Sequence, residues 1–271
     1  MSAHKKWEEL ELKDDFMFAK VMRDPELCKE MLERLLGFKI ARIEYPEEQK
    51  TIDIAYDSHG VRLDIYVQDE ESTVYNVEIQ TADTKELPKR SRYYQAMIDL
   101  NLLEKGEHYR HLNKSYIIFI CTFDLFGKSF YRYTFENTCK EDTSIGLKDQ
   151  AAKIFFNTSG TIGDLSEEAK AFLKYIGGTA SDDDFVRKLE DRVNTARKKD
   201  EWRREYMTLY MRDLENRELG RQEGRQEGRQ EEKIQIVKML LRKGLLSDAE
   251  IISVTDVSPE ELQEIKKSVN A

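Results

Sequence analysis

Residues 61–81 read VRLDIYVQDEESTVYNVEIQT. Apolar and polar residues alternate on both sides of a short acidic run, the pattern of two strands joined by a tight turn. Successive side chains of a strand point to opposite faces, so Arg62, Asp64 and Tyr66 share one face and Leu63, Ile65 and Val67 the other. On the second strand Asn76, Glu78 and Gln80 share a face, with Val77 and Ile79 behind it. A hairpin turning about Glu71 pairs residues whose numbers sum to about 142, which sets Asp64 across from Glu78, with Gln80 one pleat along. Directly opposed carboxylates repel, and sheets normally avoid the pair. Two readings are open at this point. Either a hard divalent cation of the Mg²⁺ or Mn²⁺ kind sits between the oxygens, or the face is exposed and the two acids splay into water.

The flanking sequence extends the sheet on both sides. RDPELCKEMLERLLG has the punctuation of a helix: Asp24 to cap, Pro25 at the first helical position, Gly37 at the exit. TIDIAYD reads as a strand, with Gly60 in the turn before Val61. Residues 84–104 read as a helix bearing Leu87, Tyr94, Met97, Ile98 and Leu102. KSYIIFICTF is a continuous apolar run, expected of a central strand covered on both faces. SFYRYTFEN and AKIFFNT supply two further strands, and from about residue 166 the chain is helical.

The C-terminal third differs in character. Trp202, Tyr206, Leu209, Tyr210 and Leu214 recur at helical spacing, followed by GRQEGRQEGRQE, residues 220–231, which contains no apolar residue. Ile234, Val237, Leu240 and Leu241 resume the apolar stripe. LLSDAEIISVTDVSPEELQEIKKS reads as two short helices capped at Ser247 and Ser258. The glycine repeat is no phosphate-binding loop, since it lacks the lysine and the preceding strand. The acid-rich start of the last helix argues against a DNA-reading helix. Three divisions follow: 1–180 a catalytic-type domain, 181–245 a helical arm, 246–271 a small helical tail. The apolar stripe of the arm predicts self-association as a homodimer.

The chain has 271 residues and a net charge of −9, with 36% charged residues. That balance argues against a surface coated in basic residues for nucleic acid. Locally the charge reverses: Lys85, Lys89, Arg90, Arg92, Lys105, Arg110 and Lys114 face only four acids between residues 85 and 114. No stretch has the roughly 20 apolar residues of a membrane span, and the opening MSAHKKWEELELKDD has no apolar signal core, so a cytoplasmic protein is expected. Cys28, Cys121 and Cys139 are widely spaced and odd in number, as ordinary reduced residues are. His108 and His111 have no cysteine pair to complete a zinc site.

DDFMFAKVMRD, RLDIYVQDEESTVYNVEIQ and KRSRYYQAMIDLNLLEKGEHYRHLNKSYIIFICTFDLF together resemble the recombination-promoting nuclease and transposase family of the PD-(D/E)XK nuclease superfamily. The resemblance covers roughly residues 8–140. It implies an α/β, restriction-endonuclease-like core, a mixed sheet flanked by helices, followed by the helical C-terminal arm. It further implies metal-dependent cleavage of phosphodiester bonds in DNA. Carried onto this sequence, Asp64 and Glu78 are the metal ligands, the Ile79 carbonyl adds a third, and Asp15 on the first helix completes the shell. Gln80 stands where the motif usually has lysine and would orient the attacking water without supplying a charge. Arg90, Arg92 and Tyr94, on the helix that follows, are the candidate DNA-binding residues. Gly106 and Tyr109 match a structural turn.

The reading is therefore a Mg²⁺- or Mn²⁺-dependent DNA endonuclease, acting in recombination or in mobile-element or phage biology. The rival is a binding protein that keeps the fold without turnover, favoured by Gln80 and by the net acidity. Strand transfer is less well matched, because the motif spacing is that of a nuclease hairpin.

Overall fold

A computed structural model describes residues 5–45, 51–52, 61–62, 64–103, 105–244 and 246–270. The turn expected at Gly60 and most of TIDIAYD lie outside the described residues. The chain forms two compact units, Met1–Arg203 and Arg204–Ala271.

The first unit begins with helices α1 (Asp15–Val21) and α2 (Pro25–Leu36). Helix α2 starts and stops where its sequence dictates. The Asp24 carboxylate accepts the backbone N–H groups of Glu26 and Leu27 at 3.1 and 3.4 Å, Pro25 fills the first position, and Gly37 leaves the helix in the left-handed region at φ 80°. Asp24 also pairs with Arg192. Asp24→Ala should lower the stability of this unit by about 1–2 kcal/mol in urea unfolding, the usual cost of a lost cap.

Six strands form one mixed sheet: β1 (Ile43–Glu44), β4 (Ile65–Asp69), β5 (Val74–Gln80), β6 (Ser115–Cys121), β7 (Arg132–Phe135) and β8 (Ala151–Asn157), in the order β1-β4-β5-β6-β8-β7. The short strands β2 (Thr51–Ile52) and β3 (Val61–Arg62) pair separately. The β5–β6 and β6–β8 ladders are parallel and the rest antiparallel. The apolar run of β6 is central, as expected, with Ile117 to Cys121 all buried.

Helix α3 (Leu87–Leu102) makes the connection from β5 to its parallel neighbour β6. Its Leu87, Tyr94, Met97 and Ile98 pack on Tyr66, Val74, Ile117, Phe119, Cys121 and Phe155. Those strand residues share the face that carries Glu78 and Gln80, so α3 covers part of that face and leaves its own first turn beside the strand ends. On the opposite face Val77, Ile118, Ile120 and Phe156 are fully enclosed.

Helices α4 (Glu167–Ile176) and α5 (Asp184–Arg197) complete the unit, with α5 against α1. Trp7 Nε1 donates to the Arg197 carbonyl at 2.8 Å, and Arg197 Nη2 to the Leu10 carbonyl at 2.6 Å. The core thus takes in α5, which the sequence-based division at residue 180 assigned to the arm.

Helix α6 runs from Asp200 to Lys243, and the GRQE copies continue it without a break. In the second unit its Val237 packs with Ile251 of α7 (Asp248–Thr255), Val257, and Leu262 and Ile265 of α8 (Pro259–Asn270). Ser247 and Ser258 cap α7 and α8, each in a reciprocal box with the glutamate three residues on. Residues 246–270 therefore share one small core with the end of α6.

Cys28 and Cys121 are buried free thiols, each pushed up to about 12 by burial, and Cys139 is also free.

Candidate active site

The hairpin register follows from its turn. Asp69 Oδ1 accepts the N–H groups of Glu71 and Thr73 at 2.9 and 2.8 Å, and Ser72 takes the left-handed conformation at φ 60°. Ile65 then pairs with Val77 and Gln68 with Val74, each summing to 142 about Glu71. One step further, β4 ends in a bend at Asp64. The Asp64 N–H turns to Glu78 and donates to its Oε1 at 3.3 Å. The two acids are brought together where regular pairing stops.

Glu78 is 2% exposed. Burial first, and then the charge of Asp64, hold its carboxyl well above the ordinary carboxylate range; Asp15 pushes the same way. Asp15 can act at that range because α1, which it opens, approaches β5. The Asp15 side chain is exposed and accepts the Phe16 N–H at 2.7 Å.

Arg90 pulls in the opposite direction without outweighing these effects. Its Nη2 lies 3.3 Å from Glu78 Oε2 and 2.7 Å from the Tyr94 hydroxyl, and its Nη1 lies 3.1 Å from Gln80 Oε1. The guanidinium also sits 5.3 Å from the Tyr94 ring centre and 5.8 Å from that of Phe119. Tyr94 itself is buried and stacked on Phe119 at 6.1 Å. Burial opposes the charge on Arg90, but the Tyr94 hydroxyl bond and the nearby acids keep it above its ordinary value.

Of the sequence-derived candidates, Asp64, Glu78, Gln80, Arg90 and Tyr94 thus form one cluster, with Asp15 in electrostatic reach. Arg92 is exposed on α3, away from these bonds. The Ile79 side chain is buried on the other face, so only its backbone could serve the cluster. The sequence places Asn76 on the face of Glu78 and Gln80 but gives it no role. It stands on Glu78's face, fully buried, and among the described residues its amide nitrogen and oxygen have no hydrogen-bond partner. An amide one pleat before Glu-x-Gln was the only available signal.

The donor chemistry fits a hard divalent cation. Mg²⁺ characteristically takes one or two carboxylates and keeps several waters. Among the described residues no group of three or more His, Cys, Asp or Glu side chains could hold a metal. A cation here would draw on two carboxylates, a backbone carbonyl and water.

The raised Glu78 sets a pH dependence for the metal-free protein. A carboxyl that binds its proton more tightly folded than unfolded favours folding below its ordinary value of 4.5. That contribution is lost as pH rises through the folded value. Thermal melts of Glu78→Gln against wild type should therefore diverge from about pH 4.5 upward, the variant gaining at most about 1.4 kcal/mol per pH unit. A difference that stays flat from pH 4 to 8 would show Glu78 ionised as easily in the fold as outside it.

A mixed sheet flanked by helices, with a carboxylate pair at the end of an antiparallel hairpin that leads into a parallel crossover, is consistent with the restriction-endonuclease-like PD-(D/E)XK fold. The chain belongs to the PD-(D/E)XK nuclease family transposases, whose family model matches residues 12–175. That match reaches past the motifs to β8 and α4. No curated protein and no solved structure matches the chain. Among the described residues no helix is long and apolar enough to cross a membrane.

Proposed function

We propose that this protein is a divalent-metal-dependent DNA endonuclease, acting in the cytoplasm on recombining, mobile-element or phage DNA. The observation that carries the reading is the approach of Asp64 to a deeply buried Glu78 in a chain of this nuclease family. Asp64, Glu78 and the Ile79 carbonyl would hold a Mg²⁺ or Mn²⁺ ion, with Asp15 contributing from α1. When bound, the ion supplies an acidified water and neutralises charge on the phosphate. Gln80 orients the attacking water by hydrogen bonding. Arg92, exposed on α3, meets the DNA backbone, while Arg90 and Tyr94 form the wall of the site nearest the phosphate. A homodimer built through the C-terminal arm would present two such sites to the two strands of a duplex.

One observation favours the second reading, a nuclease-fold protein that binds without cutting. Arg90 already partly neutralises Glu78, which lowers the demand for a metal. Incubating the purified protein with supercoiled plasmid and Mg²⁺, Mn²⁺ or Ca²⁺, beside Asp64→Ala, decides between the two. Nicking that needs Mg²⁺ or Mn²⁺ and vanishes in the variant supports the enzyme. DNA binding with no nicking in any metal supports the binder.

A further inference from the structure

Arg90 and Arg92 lie two residues apart on α3, yet their surroundings differ. Arg92 is exposed, as a residue that reaches for a DNA phosphate should be. The Arg90 guanidinium is held over the strand end by Glu78, Gln80 and the Tyr94 hydroxyl, and by the rings of Tyr94 and Phe119. These contacts fix one planar cation above the Glu78–Gln80 run. A group so held is placed to stabilise charge at a point rather than to follow a mobile backbone.

The position it occupies has a chemical use. Hydrolysis of a phosphodiester forms a bond from water oxygen to phosphorus and breaks the bond to a sugar oxygen, which takes up a proton. Negative charge gathers on the phosphoryl and leaving oxygens on the way. A Glu-x-Lys run brings a positive charge to that place from the strand itself. Here the strand ends in the neutral Gln80, and Gln80 Oε1 accepts from Arg90 at 3.1 Å. We infer that Arg90 supplies from α3 the positive charge that a lysine in place of Gln80 would bring, with Gln80 hydrogen-bonded between the guanidinium and the reacting group. This rests on the nuclease reading.

The test uses the full chain in four forms: wild type, Arg90→Gln, Gln80→Lys, and the two substitutions combined. Three quantities are measured: single-turnover cleavage with Mg²⁺, affinity for a fluorescent duplex with Ca²⁺, and the melting temperature without metal. Arg90→Gln should slow cleavage about a hundredfold, the scale of losing one fixed charge-stabilising donor, while DNA affinity changes less than about threefold. Gln80→Lys alone should bring no gain, because the charge is already present. The combined variant should recover to within about tenfold of wild type, as one cation replaces the other. Without metal, Arg90→Gln should melt lower, since it leaves Glu78 without its counter-charge, and adding Gln80→Lys should restore part of the loss.

A combined variant as slow as Arg90→Gln, when wild type cleaves, overturns the inference. So does a loss of DNA affinity that accounts for the whole loss of rate, since Arg90 would then be a phosphate contact. If wild type cleaves nothing, the nuclease reading fails. The melting comparison then stands alone, and a combined variant that melts no higher than Arg90→Gln overturns the charge replacement.

Discussion

On the proposed reading, Asp64→Ala and Glu78→Gln are each expected to cut Mg²⁺-dependent plasmid nicking by about a thousandfold or more, since each would remove a ligand of the metal ion. The proposed site draws on few side chains, so losing one carboxylate would leave a cation with one close carboxylate, a carbonyl and water, and Asp15 from α1. Binding of DNA should respond in the other direction. On that reading Asp64 and Asp15, and Glu78 once ionised, place negative charge where the phosphate approaches, and removing one of those charges weakens the repulsion. Affinity for duplex DNA without metal should therefore be unchanged or higher in both variants. Cleavage and binding moving apart is the signature of a metal-ligating carboxylate. A variant that nicks plasmid at the parental rate would place the activity at another site or in a contaminant. A variant that loses both properties together has lost its fold, which its metal-free melt would reveal.

The full-length chain is expected to be a dimer at micromolar concentration, and a chain ending at Arg203 a monomer. The exposed apolar surface of the arm coincides only in part with the stripe the sequence suggested. The apolar stripe read from the arm's sequence includes Trp202, but its ring lies 3.9 Å from the Lys199 ammonium and 5.8 Å from that of Lys20, inside the first unit. Met207, Met211 and Leu214 instead follow one another at helical spacing on α6, 42, 51 and 38% exposed. A run of large apolar side chains left in water on a long helix is where a second copy gains most. The glycines add to this. A Cβ at Gly220, Gly224 or Gly228 would meet nothing within 4 Å, so the chain's own packing gives no reason for glycine there. Ending at Arg203 keeps Trp202 and the Arg203–Glu8 pair in place, so the shortened protein retains its core. Removing the arm should weaken self-association about a thousandfold, from micromolar to millimolar, which corresponds to about 4 kcal/mol. Light scattering on both forms is the measurement. A full-length monomer at tens of micromolar, or a shortened form that still dimerises, sets the prediction aside.

The elements legible in the sequence were those fixed by local chemistry. Asp24, Pro25 and Gly37 bound α2 because caps and φ preferences act within a few residues. The hairpin register could be read because Glu71 marked the turn and face parity did the rest. The uninterrupted apolar run 116–121 announced a central strand covered on both faces. What could not be read depended on contacts distant in sequence. Helix α5 looks like part of a helical tail until Arg197 meets the carbonyl of Leu10. That the Tyr94 ring lies near the Arg90 guanidinium and against Phe119 could not be read either. Arg90 itself was visible as a base on the site's helix, but its bonds to Glu78 and Gln80 depend on where α3 crosses the sheet. Asn76 gives no local sign that its amide is enclosed without a partner among the described residues.

The three GRQE copies inside α6 make that helix a part whose length can change in fixed steps. Each copy advances the helix by about 6 Å and turns it by about 40°, because four residues exceed one turn of 3.6. The copies carry no apolar residue, so adding or losing one disturbs no core. Because they are identical, the loss of any one leaves the same residues adjoining the small C-terminal core. The contact of Gln230 with Glu261, at 3.1 Å, is then remade by the glutamine of a neighbouring copy. Copying errors in the underlying repeat would thus alter the distance along the helix between Leu214 and Ile234, while the packing at Val237 carries over unchanged.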